Sequence, residues 1–140
     1  MQTKSKVLVV DSSESTRIFT RFTLNNDGHR ASVVSNGARA LDTVKDEMFD
    51  VFVVNTHLSD MDGLDLVREL RLIKAFQHTP ILMLNELYST VSQEEGEQAG
   101  VTHWLTKPIS PHKLLDLMRE LSHHVDGQLS YYDEEEGGDP

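Results

Sequence analysis

The 140-residue chain contains no cysteine, so disulfides and thiolate metal centres are excluded and a reducing cytoplasm is the expected home. Positive charge is in short supply, with 13 Lys and Arg against 23 Asp and Glu and a net charge of −10. Five of those acids (Asp133, Glu134, Glu135, Glu136 and Asp139) sit at the very end of the chain, which leaves a mildly acidic body. Non-specific nucleic-acid binding needs a basic face, and none is present. Long apolar runs are also missing. The first apolar stretch, residues 7–10, stops at Asp11, too short for a signal-peptide core or a membrane span. The histidines, His123 and His124 included, show no ligand spacing. These absences leave a soluble domain of a size that can bury its own core.

What is present is one alternation repeated five times. Residues 7–10, 51–54 and 81–84 are apolar throughout, as expected of strands buried on both faces of a parallel sheet. Shorter strands are expected at residues 31–34 and 102–105. Between them lie helical patterns. The first carries Ile18, Phe19, Phe22 and Leu24 as its stripe, and the second runs from Ala38 with Val44 and Met48 extending its face. The third carries Leu64, Leu66, Val67, Leu70 and Ile73. A weak, Glu/Gln-rich fourth helix is read over residues 91–99, and the last is marked by Leu114, Leu115, Leu117, Met118 and Leu121. Right-handed crossovers then place helices on both faces of the sheet. A functional site is expected beyond the carboxyl ends of the strands, near Asp11, Asn55, Asn85 and Lys107. Residues 1–125 read as one domain and residues 126–140 as an acidic disordered tail or the start of a linker.

The landmarks Val7-Leu8-Val9-Val10-Asp11-Ser12-Ser13 with Arg17, Asn36-Gly37, Asp60-Met61-Asp62-Gly63, Pro80-Ile81-Leu82-Met83-Leu84, Ala99-Gly100 and Trp104-Leu105-Thr106-Lys107-Pro108 occur in order. With them, residues 5–124 resemble a response-regulator receiver domain of two-component signalling, in its single-domain chemotaxis form. The resemblance implies a flavodoxin-like, doubly wound (βα)5 α/β fold with a five-stranded parallel sheet in the order 2-1-3-4-5. It also implies a self-catalysed phosphoryl transfer. An aspartate ending the third strand is the nucleophile, two acids after the first strand help hold Mg²⁺, a lysine after the fifth strand offsets phosphoryl charge, and a Thr or Ser after the fourth senses the product. A backbone carbonyl is offered two residues past the nucleophile, here at His57.

On this sequence that machinery is mostly gone. Asn55 holds the nucleophile position, Ser12 replaces one of the two acids, and Asn85 replaces the hydroxyl, while Asp11 and Lys107 remain. A single acid among amides is a poor host for Mg²⁺, so no cofactor is expected and Mg²⁺ binding should be lost or weak. One expectation for the remaining groups is a neutral network, in which Asn55 accepts from Lys107 and donates to Asp11. The other is that Asn55 and Asn85 simply fill space. Trp104 stands at the family's rotating aromatic position.

The resulting expectation is a cytoplasmic, non-enzymatic pseudo-receiver. It would act without aspartyl phosphorylation through the face made by the fourth helix, fifth strand and fifth helix. Its partners would be proteins of a signalling pathway, a histidine kinase or a downstream effector, or a second copy in a homodimer. The alternative is a phosphoacceptor using a displaced acid, Asp60 or Asp62.

Overall fold

The computed structural model describes residues 4–127. Its five strands are β1 (Lys6–Val10), β2 (Arg30–Val34), β3 (Val51–Asn55), β4 (Ile81–Asn85) and β5 (His103–Thr106). They form one sheet in the order β2-β1-β3-β4-β5, and all neighbours are parallel. The helices are α1 (Glu14–Asn26), α2 (Gly37–Thr43), α3 (Gly63–Leu72), α4 (Gln93–Ala99) and α5 (Pro111–Gly127). The doubly wound order expected from the sequence is the one observed.

Successive strand residues point to opposite faces, and each face has a helical cover. Leu8, Val10, Phe52, Val54, Ile81 and Met83 pack with α3 residues such as Leu66 and Leu70. Val7, Val9, Val51, Val53, Leu82 and Leu84 pack with Leu24 of α1 and with Leu114, Met118 and Leu121 of α5. The three central strands are apolar throughout because neither face meets water.

Several local expectations are corrected. On α1 the inward residues are Thr20, Thr23 and Leu24, whereas Ile18 is 63% and Phe22 69% exposed. Two threonines small enough to sit against the sheet take the place of the large apolar side chains read as its buried stripe. Helix α2 ends at Thr43 with Val44 as its cap, and Met48 lies outside it, exposed. A 3-10 turn at Lys74–Phe76 follows α3 and inserts Phe76 into the core, edge-on to Phe52 at 4.9 Å. Helix α4 begins at Gln93 rather than residue 91. So short a helix persists because both ends are fixed. Ser92 and Glu95 form a reciprocal capping box, and Gly100 takes the left-handed conformation at φ 118° that only glycine adopts freely. Arg71 of α3 donates to the Gly100 carbonyl through Nη2 at 2.6 Å and Nε at 3.2 Å. Helix α5 runs from Pro111 to Gly127. Residues 128–140, with most of the expected tail, lie outside the described residues.

One buried titratable group sits at the opposite end of the sheet from the carboxyl edge. His29 is 4% exposed, and its Nδ1 accepts the Ser5 backbone N–H at 3.0 Å. Burial first, then the charge of Lys4, holds its pKa below the usual histidine value, with Asp27 opposing. A folded pKa below the unfolded one means the unfolded chain takes up the proton first. Stability should therefore fall as pH drops below about 6.5, the unfolded value. Thermal melts of wild type and His29→Gln from pH 7.5 to 5 test this. The wild-type slope should flatten in the variant, and equal slopes would exclude His29 as the source.

Candidate functional site at the carboxyl edge of the sheet

The sheet delivers the site residues without help from long loops. Asp11 directly follows β1, Asn55 ends β3, Asn85 ends β4, and Lys107 follows β5. Ladder bonds continue past the strands. Thr56 N–H donates to the Leu84 carbonyl at 2.9 Å, and Lys107 N–H donates to the Asn85 carbonyl at 2.9 Å. The backbones carrying these side chains are thereby fixed.

Lys107 is the centre of the cluster. Its Nζ lies 2.9 Å from Asp11 Oδ2 and 2.8 Å from Glu86 Oε2. The Glu86 contact is a well-formed hydrogen bond, while the Asp11 contact is an ion pair in which no donor is aimed squarely at Oδ2. Asp11 is 1% exposed, and its Oδ1 accepts the Ser13 N–H at 2.8 Å. Burial works to lower the pKa of the Lys107 ammonium. The hydrogen bond to Glu86 and the close contact with Asp11, with the charges of both, outweigh it and hold the value above the ordinary one. The ammonium is therefore fully charged at neutral pH.

Glu86 is the residue that sequence reading missed, and it changes the charge count. Two carboxylates face one lysine, where Asp11 alone was expected. The available signal was electrostatic: a lysine deprived of its usual acids needs another partner, and an acid stood next to Asn85.

Asn55 is 3% exposed and does not join Lys107. Its Nδ2 donates to the His57 carbonyl at 2.7 Å, which also orients the amide, since the reverse placement would set two acceptors against each other. The expected contacts from Asn55 to Lys107 and Asp11 are thus not formed, because Glu86 and Asp11 as full charges bind the ammonium better than a neutral carbonyl does. Asn55 Oδ1 and Asn85 Oδ1 are both buried without a partner among the described residues.

Ser12 turns away from the cluster. Its hydroxyl accepts the Ser59 N–H at 2.9 Å and donates to the Ser35 carbonyl at 3.2 Å, tying three loops together. Asp60 is also occupied. Its carboxylate accepts the Gly37 and Ala38 N–H groups, each at 2.9 Å, and these bonds hold its pKa below the usual carboxylate range. Asp62 stands at the N-cap of α3 without a capping side-chain bond. The residue after it, Gly63, packs against the strand end so closely that a Cβ would fall 2.1 Å from the Asn55 carbonyl oxygen.

Trp104 lies on β5 opposite Met83 of β4 and is half-buried against the α3/α4 side of the core. The benzo edge of its indole rests on the backbone of α4 at Gly96. A Cβ there would lie 2.1 Å from Trp104 Cζ2 and 2.5 Å from Cη2.

Mg²⁺ wants an octahedron of oxygens and favours carboxylates. Both carboxylates here are already committed to Lys107, residue 12 carries only a hydroxyl, and the His57 carbonyl is taken by the Asn55 amide. The residues present do not fit the ion. Among the described residues no group of three His, Cys, Asp or Glu side chains could hold a metal.

Residues 7–119 match the family described as "Response regulator receiver domain". The Vibrio cholerae chemotaxis response regulator CheY4 shares 34% identity at a TM-score of 0.80, covering 85% of this chain and 99% of that one. The sensory/regulatory protein RpfC of Xanthomonas campestris is 31% identical over 84% of this chain but only 16% of its own length. The response regulator MprA of Mycobacterium avium is 31% identical over 83% of this chain and 50% of its own. The chain thus spans between a sixth and a half of these two longer regulators. With its sheet order and a family match across nearly all of its fold, the chain belongs to the response-regulator receiver family of two-component signalling.

Proposed function

We propose that this receiver works as a non-enzymatic, cytoplasmic interaction module whose signalling conformation is set without aspartyl phosphorylation. The observation that carries the reading is the ammonium of Lys107 held between Asp11 and Glu86. In the family, that lysine receives a phosphoryl oxygen; here an internal carboxylate already sits on it. Asn55 offers no anionic nucleophile, and its amide closes the carbonyl that the family presents to a metal. The displaced-acid alternative gains nothing from Asp60, whose two oxygens are both engaged in holding the start of α2. The α4–β5–α5 face is the proposed contact surface, with Trp104 seated against α4 as the element that would change shape. Its partner class is a histidine kinase, a downstream effector or a second copy of the chain. Helix α4 is the acidic part of the face, carrying Glu94, Glu95 and Glu97, whereas Asp116 and Glu120 of α5 are paired with Arg119 and His103, so a partner that meets α4 with a basic surface is favoured.

Intact-mass spectrometry after incubation with a small phosphoryl donor, with and without Mg²⁺, tests the central claim beside a receiver known to react. Wild type should gain no phosphoryl mass. Asn55→Asp alone should stay far below the control, because Ser12 still supplies no metal-binding carboxylate and Lys107 remains occupied by Glu86. A Mg²⁺-dependent adduct on wild type would overturn the proposal, and efficient labelling of Asn55→Asp would show that residue 12 and Glu86 matter less than argued.

A further inference from the structure

A pair of exposed large apolar side chains lies outside the site, on α1. Ile18 and Phe22 stand one turn apart on its outer side, and with Arg21, Asn25 and Asn26 they line an open groove of about 480 Å³. Isolated exposed apolar residues are ordinary, but a paired Ile and Phe beside a cation has the make-up of a docking site. Arg21 has no ion-pair partner among the described residues.

The chain carries a segment of matching chemistry. After Gly127 the sequence continues Gln128-Leu129-Ser130-Tyr131-Tyr132-Asp133-Glu134-Glu135-Glu136. Three apolar or aromatic side chains are followed at once by four acids, just as the groove sets Ile18 and Phe22 beside Arg21. Geometry allows the two to meet. Helices α1 and α5 share one face of the sheet, packing through Leu24 and Leu121, and both begin at the carboxyl edge, so they descend side by side. With 17 residues against 13, α5 ends about one turn beyond α1 at ~1.5 Å per residue. To draw level with Ile18 the chain must run back ~18 Å from there, that turn plus the eight residues from Asn26 to Ile18 at ~1.5 Å each, which five to six extended residues span.

We propose that residues 129–136 of this chain dock on the outer face of α1, with Tyr131 and Tyr132 over Phe22 and Ile18 and the acidic run against Arg21. Docking in cis covers the exposed patch. The inference stands on the α1 groove and does not depend on how the carboxyl-edge site works.

Amide NMR spectra of the full chain and of full-length Tyr131→Ser/Tyr132→Ser, each at two concentrations, test it. The substitutions should shift resonances across residues 18–26, equally at both concentrations. Arg21→Glu should reproduce part of that change at the tail's own amides, and raised salt should weaken it. Shift differences confined to the tail would overturn the proposal. Differences at α1 that grow with concentration would overturn it in favour of a second copy as the occupant.

Discussion

Lys107→Met should lower stability by about 3 kcal/mol, the largest single effect expected at the carboxyl edge. The substitution keeps the length and most of the packing of the side chain while removing its charge. Asp11, 1% exposed, and Glu86, with 19% of its side chain exposed, would then share a site without a counterion, and stranding a buried charge typically costs ~3–5 kcal/mol. The lower end applies because Glu86 can turn towards water. For a domain of this size the melting temperature should drop by roughly 10 °C. The decisive control is Lys107→Met/Asp11→Asn. Asparagine still accepts the Ser13 N–H through its oxygen but brings no charge, so the double variant should recover ~1–2 kcal/mol of the loss. A double variant no more stable than Lys107→Met would show that the lysine acts through packing, and the ion triad would lose its standing as the organiser of the site.

Gly96→Ala should displace the indole of Trp104. Helix propensity alone predicts the opposite outcome, since alanine is favoured over glycine by ~1 kcal/mol in a helix interior. Here the steric effect wins. The new methyl would stand 2.1 Å from Trp104 Cζ2, the α4 backbone is held at both ends by its caps and Arg71, and overpacking costs ~1–3 kcal/mol. The half-buried ring can escape only outwards, into solvent on the α4–β5–α5 face. Trp104 is the only tryptophan in the chain, so its fluorescence reports the move directly. Emission should shift to longer wavelength, with net stability down by about 1 kcal/mol. Unchanged emission together with a higher melting temperature would mean that the glycine notch does not seat the ring. The same variant offers a way to alter the proposed contact face while leaving Asp11, Glu86 and Lys107 untouched.

The strands were legible because the sheet is covered on both faces. That geometry forces uninterrupted apolar runs such as Val51-Phe52-Val53-Val54, and few other local structures produce them. The helices were legible as elements but less so as faces. In α1, threonine satisfies the sheet-facing positions, so the largest apolar residues no longer mark the core. The short turn at Lys74–Phe76 carries no periodic signal at all. At the site, Asn55, Ser12 and Asn85 were visible as departures because neighbouring landmarks fixed their positions. Their contacts were not visible. Whether an amide turns to Lys107 or to a backbone carbonyl depends on competing partners, and the winning competitor, Glu86, lay one residue beyond the positions that the resemblance drew attention to.

The hydroxyl of Ser12 has a consequence for reversibility. It both accepts from Ser59 and donates to Ser35, and an aspartate there could only accept, leaving the Ser35 carbonyl without its donor. Placing an aspartate at position 12 would therefore loosen the tie among three loops. An aspartate restored at position 55 would in turn give up the donor that now satisfies the His57 carbonyl. Each of these two changes would leave a backbone carbonyl without its present donor, so each should cost stability on its own, ahead of any gain at the site.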